Sequence, residues 1–566
     1  MYNTATTLNS PLEGRAPAPS TNAPVIGAAS LRRLYHLYTH VPAMATGFAI
    51  WNIVAVAALV LAGPAALFAT LIPYIFGVLM VTPRQPFAGL MLFFAYFSVE
   101  GMYKYASQFS TAIYAIAPVM MVFVLFNWIS RTGGKSIKTP PGAASLYLFV
   151  AIALMQSFNP NAVSVGSNSV ISGFITAFLW YIGPMLMYFL TYNTVRESKF
   201  VLLFFYLTIG VSTVVSAVAI LQLVMGQAWT WDHFPGVELT LQSSTSYYRP
   251  PSTTALGAGG CQWARYGVIL PLGLLATGYV RTNRRQWLLV LIVINLICLI
   301  ISGVRLLAFQ SACDVIFFVL LTAKNQQAAF RSAFACAAGA AVAIYVAGLL
   351  TGGKVADRFV DTLQNPLERY QLERGQNIVS FQQYIMAYPL GQGYQRGLAN
   401  WQDRNAADAD MGEAASRENF GALRDTAFGA LAQDVGLPGL TAITIAILVL
   451  IYRGYIAYRR LKTKHMRALG SAMLALMIGL VPGGFAGPVL QGAFYFWIVA
   501  GLLLLLPEME AREFLATPAL DTESTTATAA DVSAVRVSPS TLRRLEREAA
   551  AEMAKRQAHG PSGELA

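Results

Sequence analysis

Apolar and polar residues do not alternate along most of this chain. The apolar ones run together in blocks, separated by short polar breaks. Fourteen blocks lie at about 42–62, 64–81, 87–101, 111–129, 143–157, 169–190, 200–224, 262–279, 287–303, 305–322, 332–350, 435–452, 469–486 and 488–506. Each approaches the ~20 apolar residues that an α-helix needs to cross a bilayer. The pattern predicts an all-α polytopic membrane protein with about fourteen transmembrane helices. Only Gly63-Pro64 separates the first two blocks, and only a short turn around Gly303 separates the ninth and tenth.

The pattern breaks once at length, from Leu350 to Leu440. Between Gly352 and Asp425 the chain carries Lys354, Arg358, Arg369, Arg374, Arg396, Arg404, Arg417 and Arg424. The same stretch carries Asp357, Asp361, Glu368, Glu373, Asp403, Asp408, Asp410, Glu413, Glu418 and Asp425. Each charge would cost several kcal/mol in hydrocarbon, so residues 351–434 are expected to be a water-exposed loop on one side of the membrane. Asn365-Pro366 is a helix start, with an Asn cap and Pro at the first helical position, and helix is expected to about Tyr388. Pro389-Leu390-Gly391-Gln392-Gly393-Tyr394 then predicts a tight glycine turn. A flexible acidic stretch follows to Glu418. The loop closes through Asp425-Thr426 and Gln433-Asp434-Val435-Gly436-Leu437-Pro438-Gly439-Leu440.

Composition agrees with the pattern. The chain has 566 residues, 56% hydrophobic and 12% charged, with a mean hydropathy of +0.52. Soluble proteins carry about twice that charged fraction. The net charge of +12 would suit nucleic acid, but it is better explained by positives that recur in short loops between apolar blocks. They fall at Arg131/Lys135/Lys138, Arg196/Lys199, Arg281/Arg284/Arg285, Lys324/Arg331 and Arg453–Arg467. Lys/Arg excess marks the cytoplasmic side. With fourteen spans and both termini cytoplasmic, every one of these loops lies inside. The uncharged loop 158–167, the loop 225–260 and the large polar loop then lie outside; Lys104 alone disagrees. Residues 1–40 are expected to be a disordered leader without a cleavable signal peptide, and 41–507 the membrane domain. Residues 508–566 are expected to form a cytoplasmic tail with a charged helix at Leu542–Gln557. Four cysteines without a CxxC pair give no disulfide or zinc framework.

The candidate chemistry is carried by arginine and carboxylate. Arg305 follows Ser302-Gly303-Val304 between two apolar blocks with almost no loop, a costly place for a guanidinium. It could snorkel to headgroups, or clamp a lipid-linked phosphate with its forked donors. Arg249 (in Tyr247-Tyr248-Arg249-Pro250) and Arg265 are placed on the same outer face. Tyr247, Tyr248, Trp229 and Trp231 are belt residues or platforms for sugar rings. Asp425 is either a helix N-cap or a functional carboxylate, and Asp434 precedes a kink-prone Gly436-Leu437-Pro438-Gly439 and is expected at the interface. Asp408-Ala409-Asp410 is an acidic pair in a flexible run. Of five histidines only His233 is outside, and none lies in the large loop. No nucleotide fingerprint is present.

Four short motifs carry a resemblance. They are Gln156-Ser157-Phe158-Asn159-Pro160-Asn161, Ser302-Gly303-Val304-Arg305, Pro389-Leu390-Gly391-Gln392-Gly393, and Asp425 through Asp434-Val435-Gly436-Leu437-Pro438-Gly439-Leu440. In this order around one large outer loop, they resemble the bacterial O-antigen ligase and polymerase superfamily, nearest its exopolysaccharide polymerases. That resemblance implies a GT-C-like glycan transferase in the inner membrane. It implies inverting, metal-independent glycosyl transfer on the periplasmic face, without cofactor, from an undecaprenyl-diphosphate-linked glycan. A flippase and a chain-length regulator would be its neighbours. Arg305 and Arg374 match the family's arginines that hold the diphosphate. The general base is left unassigned, with Glu413, Glu418, Asp425 and Asp434 as candidates, and Arg249, Arg265, Arg369, Tyr247 and Tyr248 are candidate substrate contacts. The ligase branch has a histidine in the large loop and this chain has none, which favours polymerisation over ligation. A transporter, or a non-catalytic subunit of a polysaccharide secretion complex, is the alternative.

Overall fold

The computed structural model describes residues 28–106, 110–132, 137–159, 170–233, 248–254, 260–323, 326–353, 376–394, 426–484 and 494–515, with single positions at 357, 360 and 364. Every regular element among them is helical. In chain order these are α1 (Ala28–Ala62), α2 (Leu67–Val81), α3 (Pro86–Phe97), α4 (Glu100–Ala106), α5 (Ser110–Thr132), α6 (Ala143–Met155) and α7 (Val170–Ala177). Then come α8 (Gly183–Thr194), α9 (Ser198–Met225), α10 (Gln227–His233), α11 (Gly260–Thr277), α12 (Thr282–Ile301) and α13 (Arg305–Thr322). The last are α14 (Gln326–Leu350), α15 (Gln376–Ala387), α16 (Ala427–Arg460), α17 (Lys464–Gly484) and α18 (Phe494–Glu510).

Where they are described, the fourteen apolar blocks fall mainly on helix, and among the described residues eight helical runs are long and apolar enough to cross a membrane. Pro86–Phe97, Ala143–Phe158, Leu307–Thr322 and Cys336–Leu350 are apolar but shorter. The outward faces of α2, α5 and α12 show Phe68, Ile72, Phe76, Phe126, Leu289 and Val293. Contiguous apolar surface of that kind belongs against lipid. The chain is thus a helical membrane protein.

The first two blocks could be one rod, since α1, the 3-10 turn Gly63–Ala66 and α2 form a continuous helical run of 46 residues from His36. They are not. Tyr74 donates a hydrogen bond to Asn52 Oδ1, 22 residues away, and the Trp51 and Tyr74 rings lie 6.3 Å apart. On a straight helix those residues would be roughly 33 Å apart at 1.5 Å per residue. The run folds back at Gly63-Pro64 into two arms.

Inside the bundle, α9 packs on α1, α11 and α12, and α11 on α13 and α17. In turn α17 packs on α16 and α18, and α18 on α8. Side-chain contacts then show which ends of the helices lie together. Arg131 donates to Arg84 O, Asn193 pairs with the Lys138 backbone, and Tyr458 donates to Leu321 O. Arg284 donates to Tyr38 O, and Tyr279 packs edge-on to His465. The basic loops therefore gather at one face of the bundle, as their charge pattern requires.

Two boundaries differ from expectation. Helix α1 starts at Ala28, so residues 28–40 of the expected leader are helical. At the other end α18 runs past Pro507 and continues as a π turn to Leu515. Glu510 accepts from the Lys462 and Thr463 backbone N–H groups at 2.8 and 2.6 Å, and Glu513 from Ser198 N–H at 2.9 Å. Those buried carboxylates cap the starts of α17 and α9 and dock the first residues of the expected tail. Residues 1–27 and the charged helix expected at 542–557 lie outside the described residues.

Candidate functional site

Three of the four motifs meet at one joint. Helix α16 is broken at Gly436, where φ is +68° and ψ −177°. Such a conformation favours glycine. The break exposes backbone groups, and the glycine turn of the large loop pairs with them. Leu437 N–H donates to Pro389 O and Gln392 N–H to Gln433 O, both at 2.8 Å. Contact is so close that a Cβ on Gly436 would stand 2.3 Å from the Leu390 carbonyl carbon. From the other side, Gln156 Nε2 donates to Leu390 O at 2.6 Å and Asn159 Nδ2 to Gly391 O at 3.3 Å. Residues more than two hundred positions apart thus form one hydrogen-bonded unit.

A carboxylate lies beneath it. Asp434 is fully buried and accepts from the Tyr181 hydroxyl, and the Tyr181 and Tyr394 rings are 5.8 Å apart. Tyr181 belongs to a π turn, Phe178–Ile182, between α7 and α8. The extra residue of such a turn re-aims a side chain. Tyr394 donates to Ala153 O. Burial first, and Asp434 second, push the Tyr394 phenol above the usual tyrosine range, so it stays a protonated donor.

A second cluster holds the arginines. Residues 248–254 fold back into the bundle: Ser252 and Thr253 are buried, and Thr253 donates to Ser98 O at 2.6 Å. Gln222 grips the Ser252 backbone at both ends, accepting from N–H at 2.7 Å and donating to O at 3.1 Å. Ser252 itself has φ +60°. Within this segment Tyr248 donates to Thr230 Oγ1 at 2.6 Å, and burial pushes its phenol up to about 12. Cys261 at the start of α11 belongs to one packed cluster with Leu299, Ile301 and Val304, which flank the Ser302-Gly303 turn. Gly260 beside it lies against Ser252, where an added Cβ would stand 2.8 Å from Ser252 Cβ. Arg305 is half-buried on the first turn of α13. A cation at a helix N-terminus opposes the helix dipole. An anion at the same helix start would be favoured both by the guanidinium and by the dipole.

The expected site residues are divided by the structure. Arg305, at the start of α13, and Arg249 and Tyr248, in the segment 248–254, lie at the end of the bundle opposite the basic loops. Asp434 is interior, not interfacial, because Tyr181 and the joint enclose it. Arg265 is not a rim arginine: it is buried and bound to Asp314 of α13. The cap of α16 is Thr426, whose side chain accepts from Gly429 N–H at 3.1 Å, so the capping role considered for Asp425 falls one residue later. Arg369, Arg374, Asp425, Tyr247 and the Asp408/Asp410 pair lie outside the described residues. Tyr181, Tyr394, Gln222 and Ser252 were not anticipated. Their only local signals are Gly183-Pro184 after Tyr181 and Pro250-Pro251 before Ser252, which mark breaks without naming partners.

The fold defines the class as a helical membrane protein. No protein-family model matches the sequence, and no curated protein matches it.

Proposed function

We propose that the protein polymerises undecaprenyl-diphosphate-linked oligosaccharide repeats at the periplasmic face of a bacterial inner membrane. In this reading all fourteen helical blocks cross the bilayer, and the face carrying the basic loops is cytoplasmic. The observation that carries the proposal is the joint, in which stretches 156–159, 389–392 and 433–437 are hydrogen-bonded together. A chain needing only a membrane anchor has no use for a charged loop pinned to a broken helix.

Glycosyl transfer breaks the bond between the sugar and the diphosphate, and negative charge grows on the leaving group. At the membrane edge a fixed guanidinium stabilises that charge strongly, because the dielectric is low. In this reading Arg305, at the start of α13, takes this role, and Arg374 of the large loop and Arg249 are assigned to assist it. The acceptor hydroxyl of a second repeat attacks from the opposite side of the anomeric carbon and gives up its proton to solvent as the bond to the diphosphate breaks. The joint anchors the 389–392 stretch of the loop to α16.

The test is polymer formation in cells deleted for the native gene. Arg305→Ala or Arg374→Ala should lower the rate by about 100- to 1000-fold, the usual loss for a preorganised donor of this kind. Arg305→Lys keeps the charge but loses the planar fork, and should also be badly impaired. If both alanine variants reach the membrane and still make full-length polymer, the assignment fails. Transfer of repeats to a different acceptor in place of chain growth would establish the ligase alternative.

A further inference from the structure

Arg265 and Asp314 form an ion pair inside the bundle, on α11 and α13. Arg265 Nε donates to Asp314 Oδ2, and Nη2 donates to Oδ1 at 2.9 Å. Nη2 also donates to Leu476 O of α17 at 3.0 Å, so one guanidinium ties three helices. Helix α17 makes room by lacking side chains. A Cβ on Gly479 would stand 1.7 Å from Asp314 Oδ1 and 3.3 Å from Arg265 Nη2. One turn later, a Cβ on Gly483 would stand 2.5 Å from Gln310 Cδ. Gln310 and Asp314 are four apart and so share a face of α13. They drop into the groove that Gly479 and Gly483 leave. Gln310 is fully buried, and neither end of its amide is paired among the described residues. Polar groups that costly are not needed to hold two helices together in lipid, where small residues and close packing suffice. A buried ion pair adds little stability over apolar residues; its best-attested use is fixing register.

Arg305 starts the same helix, nine residues before Asp314 and so roughly 13 Å further along the axis. Sliding or turning α13 against α17 would carry Arg305 with it. We infer that Arg265, Asp314 and Gly479 are positioning residues, which fix the register of α13 and thereby the depth and direction of Arg305. The inference rests on the reading of Arg305 as the arginine that holds the diphosphate.

The test uses the full chain in membranes with two readouts. In the first, Arg305→Cys is labelled with a membrane-impermeant maleimide, and the parent chain with its four native cysteines supplies the blank. Adding Gly479→Ala should change the labelling rate several-fold. A single substitution that strands one buried charge can block folding, so Arg265→Met/Asp314→Leu is made as a double change that keeps volume. It should reach the membrane and alter labelling in the same sense. In the second readout Arg305 is kept and polymerisation is followed. Gly479→Ala should lower kcat by about 100-fold with KM little changed, the size expected of a misplacement of about 1 Å. Gly339→Ala, whose added Cβ meets nothing within 4 Å, should match the native protein in both. Unchanged labelling in Gly479→Ala and in the double variant would overturn the inference, as would activity that falls only in step with membrane level. Altered labelling in a protein whose native form makes no polymer would keep the register claim and remove the polymerase reading.

Discussion

Asp434 separates two kinds of carboxylate that look alike in a sequence. A base must meet the substrate, whereas a pin must meet the protein, and Asp434 meets Tyr181. Asp434→Asn keeps an acceptor for the Tyr181 hydroxyl and should retain most activity. Asp434→Leu leaves that buried hydroxyl without its partner, which costs about 1–3 kcal/mol and should appear as a lowered unfolding temperature. If Asp434→Asn is instead inactive at native stability, the carboxylate does chemistry and the structural role is wrong. Sequence alone could not make this distinction, because Tyr181 reads as one more aromatic in Phe178-Leu179-Trp180-Tyr181-Ile182. Arg265 was misjudged for a related reason. Its distance from the block edge suggested the rim, but its partner Asp314 is 49 residues away, and local pattern carries no record of pairing at that range.

Elements were more legible than their partners. The described residues of the apolar blocks are mostly helical, as a segment that must satisfy its own backbone has to be, and the Gly391-Gln392-Gly393 turn is readable from turn chemistry. The fold-back at Gly63-Pro64 was also visible as a break between blocks. The break at Gly436 was expected from Gly436-Leu437-Pro438-Gly439, but its function as a socket for the large loop was not. Gly436→Ala tests that function. At φ +68° a side chain is strained by about 1–3 kcal/mol, and its Cβ would also collide with Leu390. The variant should insert with the native helices but release the loop, seen as faster protease cleavage between α15 and α16 and as weak polymer formation. Native protease resistance with full activity would mean that the joint is incidental. Boundaries were the least legible feature. Leu31 to His40 has no continuous apolar run, yet it continues α1, because side chains such as Tyr38 pack inward.

At the scale of the whole molecule, charge and hydropathy together placed the basic loops at one face, and the contacts of Arg84, Lys138, Leu321 and Tyr458 bear that out. The opposite end collects the Arg305 corner and the joint, two clusters built from segments that are distant in sequence. Under the proposed function a lipid-linked diphosphate would join them, with its lipid end in the bilayer and its glycan reaching the loop. The most direct measurement is therefore turnover by the purified protein, reconstituted in vesicles and supplied with undecaprenyl-diphosphate-linked repeats, with and without EDTA. Arginine stabilisation of the leaving group predicts long polymer and released undecaprenyl diphosphate in both conditions, and neither from Arg305→Ala. Repeats that remain single on their lipid in the presence of the native protein would contradict the polymerase account. Activity lost in EDTA and restored by magnesium would contradict the arginine mechanism and direct attention to Asp408 and Asp410.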